Sequence, residues 1–578
     1  MANFLDTAKI PLGAKPKHKF PLHRSHPTTA SFMQFHVAMA RELAAHSTYK
    51  GNHQTFIRTI ALKKPLLTSI QVHNTALFVP FRTVWEPFSD FITDVPHNQP
   101  AGTGIINNVP LLYNAQVWQF LTSNACSSVV SSGAFDFTYG GNNRKFTAFG
   151  RYVYSTFVQL GYKWNPTAKD DYSKSALPLL CLAKAYIDFY FPSGYAHYGV
   201  YATIDGIMQR HVTYNLTAAE LATIFSAIWL VSYDSDYFVS AFDNPAGPNT
   251  GTSSLNFSIL DATNYTNAVL VENGSATDFQ GNPNGTPSIP IASGDNLTQY
   301  NLDTLHRLES YVRRHQLAGS RSLERYLADW GVVLSADKLR RCIKLEESKF
   351  PFQVGEVMSM SDTLDGNGDG AQLGDYAGRA VAYDGDLNFE FSTDEFGYLF
   401  VISTIIPQVG YTQGIDRFVN HKTKLDFLSS FDGVGTQPIT QEELFVGLKR
   451  SSNGENKIFG FTGRSAEYKT VKDVLSGTFL FPSVRQGLLG WETMRLFSDE
   501  TTDAEFDLSH SLDFMLGGDA IQFNRIFLDD DSMDDPFVLI HRDNFELIQP
   551  AVQLFDIYEW DDPDRPAIKM QANGVKTN

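Results

Sequence analysis

The chain has 578 residues, of which 43% are hydrophobic, 19% charged and 13% aromatic; this composition excludes a small stapled scaffold and excludes disorder over most of the length. Its formal charge of −17 excludes a generally basic surface, so contact with nucleic acid has to come from local basic segments. The three cysteines, Cys126, Cys181 and Cys342, form no CxxC and leave one unpaired under any single bridge, which argues against a disulfide framework and for a reducing compartment.

The chain opens on a basic stretch. From Met1 to Lys64 there are ten Lys or Arg against Asp6 and Glu42, and residues 1–54 read as a basic N-terminal arm ahead of a main domain at 55–578. Lys15, Lys17, Lys19 and Arg24 are its candidate nucleic-acid contacts; a plain solvated terminus is the alternative. No secretory-type apolar segment is present here. The longest apolar stretch, Leu221 to Val231, is too short to span a bilayer, so no membrane insertion is expected of a soluble chain made in the cytosol.

Phe56 to Leu62 and Ser69 to Phe81 are rich in β-branched and aromatic residues and predict a pair of strands. Ala176 to Phe191 and Ala218 to Leu230 predict helices, as do Leu302 to Val312 and Ser322 to Trp330 further on. Between them, residues 244–301 carry no Lys or Arg and are dense in Asn, Gly, Ser, Thr and Pro, which reads as a long turn-rich insertion. Its sequons include Asn256, Asn264, Asn273 and Asn284, taken as compositional coincidence without a signal peptide. Leu387 to Phe391 alternates with polar residues, and Phe396 to Ile406 follows after a turn, predicting a second strand pair; Gly477 to Phe481 and Pro536 to Ile540 add further strands. Strands interrupted by helical insertions, without βα alternation, predict an antiparallel sandwich, with a jelly roll as the natural candidate.

Enzyme signatures are missing: there is no GxxxxGK[ST], HExxH, GxSxG or paired CxxC. Asp365, Asn367 and Asp369 reproduce the D-x-N-x-D-G opening of a calcium loop, but Tyr376 stands where the bidentate Glu belongs and Asp375 is the nearest substitute. A Ca²⁺ site here competes with an ordinary Gly/Asp/Asn turn, and no cofactor is required. The acidic run Asp529, Asp530, Asp531, Asp534 and Asp535 reads as a solvated loop or an ion site.

Five segments occur in the order found in one family: Ala76 to Asp94 (ALFVPFRTVWEPFSDFITD), Ser175 to Phe191, Tyr233 to Asn249, Ala318 to Arg341 and Gly410 to Phe418 (GYTQGIDRF). In these the chain resembles the major capsid proteins of the Microviridae, small icosahedral phages with single-stranded DNA. The match weakens before Phe56 and after about Asp561, and within 244–301 it extends only over the first few residues.

The resemblance implies a viral eight-stranded antiparallel jelly roll, mainly β, with long and partly helical interstrand insertions. It implies a non-enzymatic subunit forming pentamers and a T=1 shell of sixty copies, located in the virion and made in the host cytoplasm. The partners implied are a single-stranded DNA genome, a small basic DNA-binding virion protein and a host surface receptor. By position, 244–301 would be a surface protrusion, with its asparagines facing the host. The alternative from the residues themselves is a carbohydrate-binding or carbohydrate-active β-sandwich, which the aromatic and acidic content also permits.

Overall fold

The computed structural model describes residues 17–94, 106, 108–167, 172–192, 198–210, 212–242, 271–272, 275–276, 327, 330–331, 341–354, 379–422, 426–428, 436–446, 458–480, 488–497, 510–528 and 535–550. Nine strands build a sandwich: β1 (His18–Ala30), β2 (His36–Leu43), β3 (Ser47–Thr59), β4 (Ile70–Pro80), β5 (Ile343–Pro351), β6 (Gln353–Val354), β7 (Ala380–Thr393), β8 (Gly397–Pro407) and β9 (Phe537–Gln549). One sheet has the order β1-β9-β3-β7-β6 and the other β5-β4-β8-β2, with every pair antiparallel. Because β5 and β6 are separated only by Phe352, they act as one strand that crosses between sheets. That leaves eight strands in the order of a jelly roll, as expected.

The expected strand pairs need correction. Phe56 to Leu62 falls at the end of β3 and Ser69 to Phe81 on β4, but β3 bonds to β7 and β9 whereas β4 bonds to β5 and β8. Likewise β7 and β8 lie in different sheets. Alternation reports that a strand has a buried face; it does not report which neighbour it bonds, and these connections cross the ~10 Å between sheets rather than fold back in one. Gly477 to Phe481 is not a strand: Gly477 takes φ +74°, open to glycine, and residues Gly477–Leu480 form a 3-10 turn.

The basic arm also needs correction. In its described part, β1 pairs with β9 from His18–Gln549 to Ala30–Phe537, and the boundary drawn at residue 54 cuts through β3. Phe20 and Leu22 pack on the core while Lys19 and His23 point away, so the segment is a strand with alternating faces.

Among its described residues the insertion between β4 and β5 carries the helices α1 (Phe88–Thr93), α2 (Asn114–Leu121), α3 (Ala148–Gln159), α4 (Leu177–Phe189), α5 (Tyr198–Met208) and α6 (Ala218–Ile228), while the helices expected at 302–312 and 322–330 lie almost wholly outside them. Two match the expected helices. A capping box starts α6: Thr217 Oγ1 accepts from Glu220 N at 3.3 Å and Glu220 Oε2 accepts from Thr217 N at 2.9 Å. Buried on nearly every side, α4 packs against β4 and β8, making a third layer. Its Lys184 is neutralised by Asp188 at 3.1 Å, and Asp188 also accepts from Cys342 N at 2.8 Å, tying the start of β5 to the end of α4. All three cysteines are buried as free thiols. Of 244–301, only Val271–Glu272 and Ser275–Ala276 are described, as a paired two-strand ladder.

Between the two sheets each long strand runs apolar, polar, apolar. On β9 the inward residues are Phe537 and Leu539, then His541 and Asp543, then Phe545 and Leu547; on β3 they are Tyr49, then His53 and Thr55, then Ile57. Two apolar clusters result, one at each end of the sandwich, with a polar band across the middle.

Candidate nucleic-acid interface

The outer face of the five-stranded sheet carries alternate residues of β1, β9, β3 and β7. Registration sets Ile540 beside Phe56 and Phe56 beside Tyr383, giving a cross-strand apolar row; Arg542 sits beside Gln54, and Arg58 between Val538 and Val381. Gln54, Phe56, Tyr383, Ile540 and Arg542 line a shallow depression of about 250 Å³. Tyr383 is 60% exposed and Val538 42%. The Arg58 guanidinium lies 5.8 Å from the Phe56 ring centroid, within cation–π reach. Among the described residues neither Arg58 nor Arg542 forms a salt bridge. Accessible aromatic faces flanked by free guanidinium groups are what a single-stranded nucleic acid needs: bases stack, and phosphates find cations.

The other end of this face is electrically closed. Lys19 Nζ meets Glu546 Oε1 at 2.5 Å, and Lys50 Nζ meets Glu390 Oε2 at 2.7 Å. Glu390 accepts that hydrogen bond and so holds the Lys50 ammonium above its ordinary range.

Of the four candidate DNA contacts from the sequence, the three described ones are not brought together on this platform. Lys15 lies outside the described residues and Lys17 is exposed just before β1. Lys19 is paired with Glu546, and Arg24, of opposite parity on the edge strand β1, is exposed beside the polar band rather than on the outer face. Sequence reading missed Tyr383 and Arg542 and counted Arg58 only as part of a basic stretch. The available signal was the outward alternation of Gln54, Phe56 and Arg58, matched by Ile540 and Arg542.

The other candidates fall elsewhere. Asp365, Asn367, Asp369 and Asp375 lie outside the described residues, as do Asn256, Asn264, Asn273 and Asn284. Of the acidic run only Asp535 is described, where it accepts a hydrogen bond from Thr29 Oγ1 at 2.9 Å. Among the described residues no group of three or more His, Cys, Asp and Glu could hold a metal ion, and no helix is long and apolar enough to cross a membrane. A cavity of about 560 Å³ behind β4 gathers His73, Asp234 and Glu347 against Phe189 and Tyr233.

Comparison with known proteins gives a family match and a relative. Residues 252–507 match the family described as capsid protein (F protein), a range that takes in much of 244–301 and two of the five segments, Ala318 to Arg341 and Gly410 to Phe418. Capsid protein VP1 of Chlamydia phage 1 is 24% identical over 221 residues, which cover 37% of this chain and 36% of that protein. The alignment thus spans about a third of the length of this relative. Both matches are to phage capsid proteins of the microvirus kind, and with the jelly-roll strand order they bear out the resemblance of this chain to the Microviridae major capsid proteins.

Proposed function

We propose that the chain is the major structural subunit of a small icosahedral phage, self-assembling into a T=1 shell of sixty copies around a single-stranded DNA genome and catalysing no reaction. The observation that carries this reading is the jelly-roll strand order in a chain that matches a capsid-protein family. Insertions between β4 and β5, and between β8 and β9, supply the extra surface that a closed shell needs for its several different contacts. Virion location and synthesis in the host cytoplasm follow from the same reading. A small basic partner would share in neutralising phosphates, because the chain as a whole is acidic. A host receptor and a Ca²⁺ ion at Asp365, Asn367, Asp369 and Asp375 stay in the proposal as partners to be sought. The carbohydrate reading has nothing comparable behind it.

Within this reading the platform around Phe56, Tyr383, Arg58 and Arg542 faces the genome, beside the arm candidates Lys15, Lys17, Lys19 and Arg24. Binding there is independent of sequence and sensitive to salt. Sedimentation and electron microscopy of the purified chain, with and without single-stranded DNA and Ca²⁺, test the assembly. Pentamers or closed particles are expected; a monomer under every condition, DNA included, overturns the shell.

A further inference from the structure

The polar band inside the sandwich has a composition that neither packing nor shell building requires. Four imidazoles stack across it: His26 on β1, His36 on β2, His53 on β3 and His541 on β9. Ring centroids are 5.3 Å apart for His53–His541, 5.5 Å for His36–His541, 5.9 Å for His26–His541 and 6.5 Å for His26–His36. Since β2 belongs to the four-stranded sheet and β1, β3 and β9 to the other, the stack bridges the two sheets.

Its hydrogen bonds fix which nitrogens carry protons. Val37 N donates to Gln159 Oε1 at 3.3 Å, so the Gln159 amide turns its Nε2 to His36 and donates to His36 Nδ1 at 3.2 Å. The His36 proton then sits on Nε2, a buried atom without a partner. His53 Nδ1 donates to Asp543 Oδ1 at 2.6 Å, and His26 Nδ1 donates to the Ala38 carbonyl at 3.1 Å. Asn74 Nδ2 donates to Thr55 Oγ1 at 3.2 Å, and that hydroxyl lies 3.1 Å from both His53 Nε2 and His541 Nδ1. Where the hydroxyl donates to His53 Nε2, His541 Nδ1 donates to the hydroxyl. His541 Nε2 is left buried and unpartnered.

We propose that this band is an acid-operated catch, in which proton uptake by His36 and His541 releases the four-stranded sheet from the five-stranded sheet along β1, β2 and β9. A second proton on either ring would find no carboxylate within hydrogen-bonding distance: Asp543 Oδ2 is buried in the same band but bonds to neither ring. From β1 the band faces Arg24 and His26, from β3 His53 and Tyr49, and from β9 Asp543, whose Oδ1 already serves His53. From β7 comes Asp384, which takes a hydrogen bond from Asn74 at 2.9 Å. The side chains contributed by β4, β8 and α3, namely Asn74, Ser403 and Gln159, are neutral. Burial drives His36 down to about 3, helped by His26, and His541 well below 6.5, helped by the three neighbouring imidazoles and by Arg24; burial likewise lowers His26.

The sign follows from linkage. A histidine held neutral when closed and free to titrate near 6.5 when open gives its full stabilisation above that value, and loses it as the pH falls below. Opening gains up to a factor of about ten per pH unit per histidine. For His36 and His541 together this is about a thousandfold between pH 8 and pH 5. The inference goes beyond the shell and holds whether or not the chain forms one.

The test is hydrogen exchange of the full-length chain from pH 8 to pH 5, corrected for intrinsic exchange and read on residues 18–43 and 537–549. A rise in opening of two to three orders of magnitude is expected, shrinking to within tenfold in the His36→Gln/His541→Gln variant, which carries the same carboxylates. A variant as pH-sensitive as the parent overturns the proposal. Should the variant fail to fold, histidine-labelled NMR of the parent decides: imidazoles that stay neutral at pH 5.5 while the strands are protected support the catch. Titration of both near 6.5 with the strands still protected overturns it.

Discussion

Replacing both Arg58 and Arg542 by Gln keeps the aliphatic stems and removes the two cations of the outer-face platform that have no salt bridge among the described residues. If each neutralises one phosphate, the dependence of binding on salt falls by about 0.7 per contact, so the slope of log affinity against log salt becomes shallower by about 1.4. Over a fourfold rise in salt the double variant then loses roughly sevenfold less affinity than the parent. Tyr383, with 60% of its surface free, offers a ring for stacking, and Tyr383→Ala should weaken binding by about 1–3 kcal/mol, or roughly 5- to 150-fold, with the salt slope unchanged. Fluorescence anisotropy with a labelled oligothymidylate at a series of salt concentrations separates the two effects. Lys50→Gln is the internal control, since Lys50 lies on the same face but is engaged by Glu390 at 2.7 Å. The reasoning fails if Lys50→Gln alters the slope as much as the arginine pair does, or if Tyr383→Ala leaves affinity unchanged.

Three further outcomes are expected. Phe545 is fully buried with its ring centroid 4.4 Å from that of Tyr49 and 5.5 Å from that of Phe389, so Phe545→Ala should cost about 3–5 kcal/mol in urea unfolding through lost burial and the cavity left behind. Asn74→Ala removes donors to Thr55 and Asp384 and an acceptor for Ser403 Oγ at 2.8 Å, and should cost about 1–3 kcal/mol in the same assay at neutral pH. Burial pushes the Cys126 thiol up to about 11 and raises Cys181 and Cys342 as well; labelling of the native chain by a thiol reagent at pH 7.5 should be slow at all three and become fast in denaturant.

How much of this was legible in the sequence depended on what each residue type reports. Leu177 to Phe189 reads as a helix because its apolar residues are continuous and Pro178 falls in the first turn, where a missing N–H costs nothing. The alternation of Leu387, Phe389 and Phe391 reads as a strand for the same kind of local reason. What failed was long-range: nothing within β3 or β4 says that one will bond to β9, hundreds of residues later, and the other to β8. The stretch HKFPLHRSHPTTA reads as part of an arm because of its basic residues alone. It is an edge strand, where prolines at outward positions break no ladder needed on the far side. The interface was hidden for a related reason: whether an exposed cation is free or paired depends on its neighbours across the ladder, so Lys19 and Arg542 look alike until Glu546 is set diagonally across from Lys19 and Ser25 opposite Arg542.

The polar band also bears on why the strands pair in one register. A slip of one residue between β9 and β3 turns every side chain to the wrong face and is strongly disfavoured, but a slip of two restores the alternation and would cost little in a uniformly apolar sandwich. Here it would not. In the observed register Asp543 stands opposite His53 and His541 opposite Thr55. Shifting β9 by two residues one way sets His541 against Ile57; shifting it the other way sets Asp543 against Gly51 and Leu539 against Thr55. Either slip parts the carboxylate from the imidazole that donates to its Oδ1 at 2.6 Å, and an unpaired buried carboxylate costs far more than the few contacts a slip exchanges. The same band crosses β4 at Asn74 and β8 at Ser403, which face each other in the ladder and hydrogen-bond. Both sheets are thus pinned at the level where the histidines meet. A seam that fixes register by hydrogen bonds among buried imidazoles, hydroxyls and a carboxylate is specific while His36 and His541 stay without a second proton, so the register and the acid sensitivity have one physical origin.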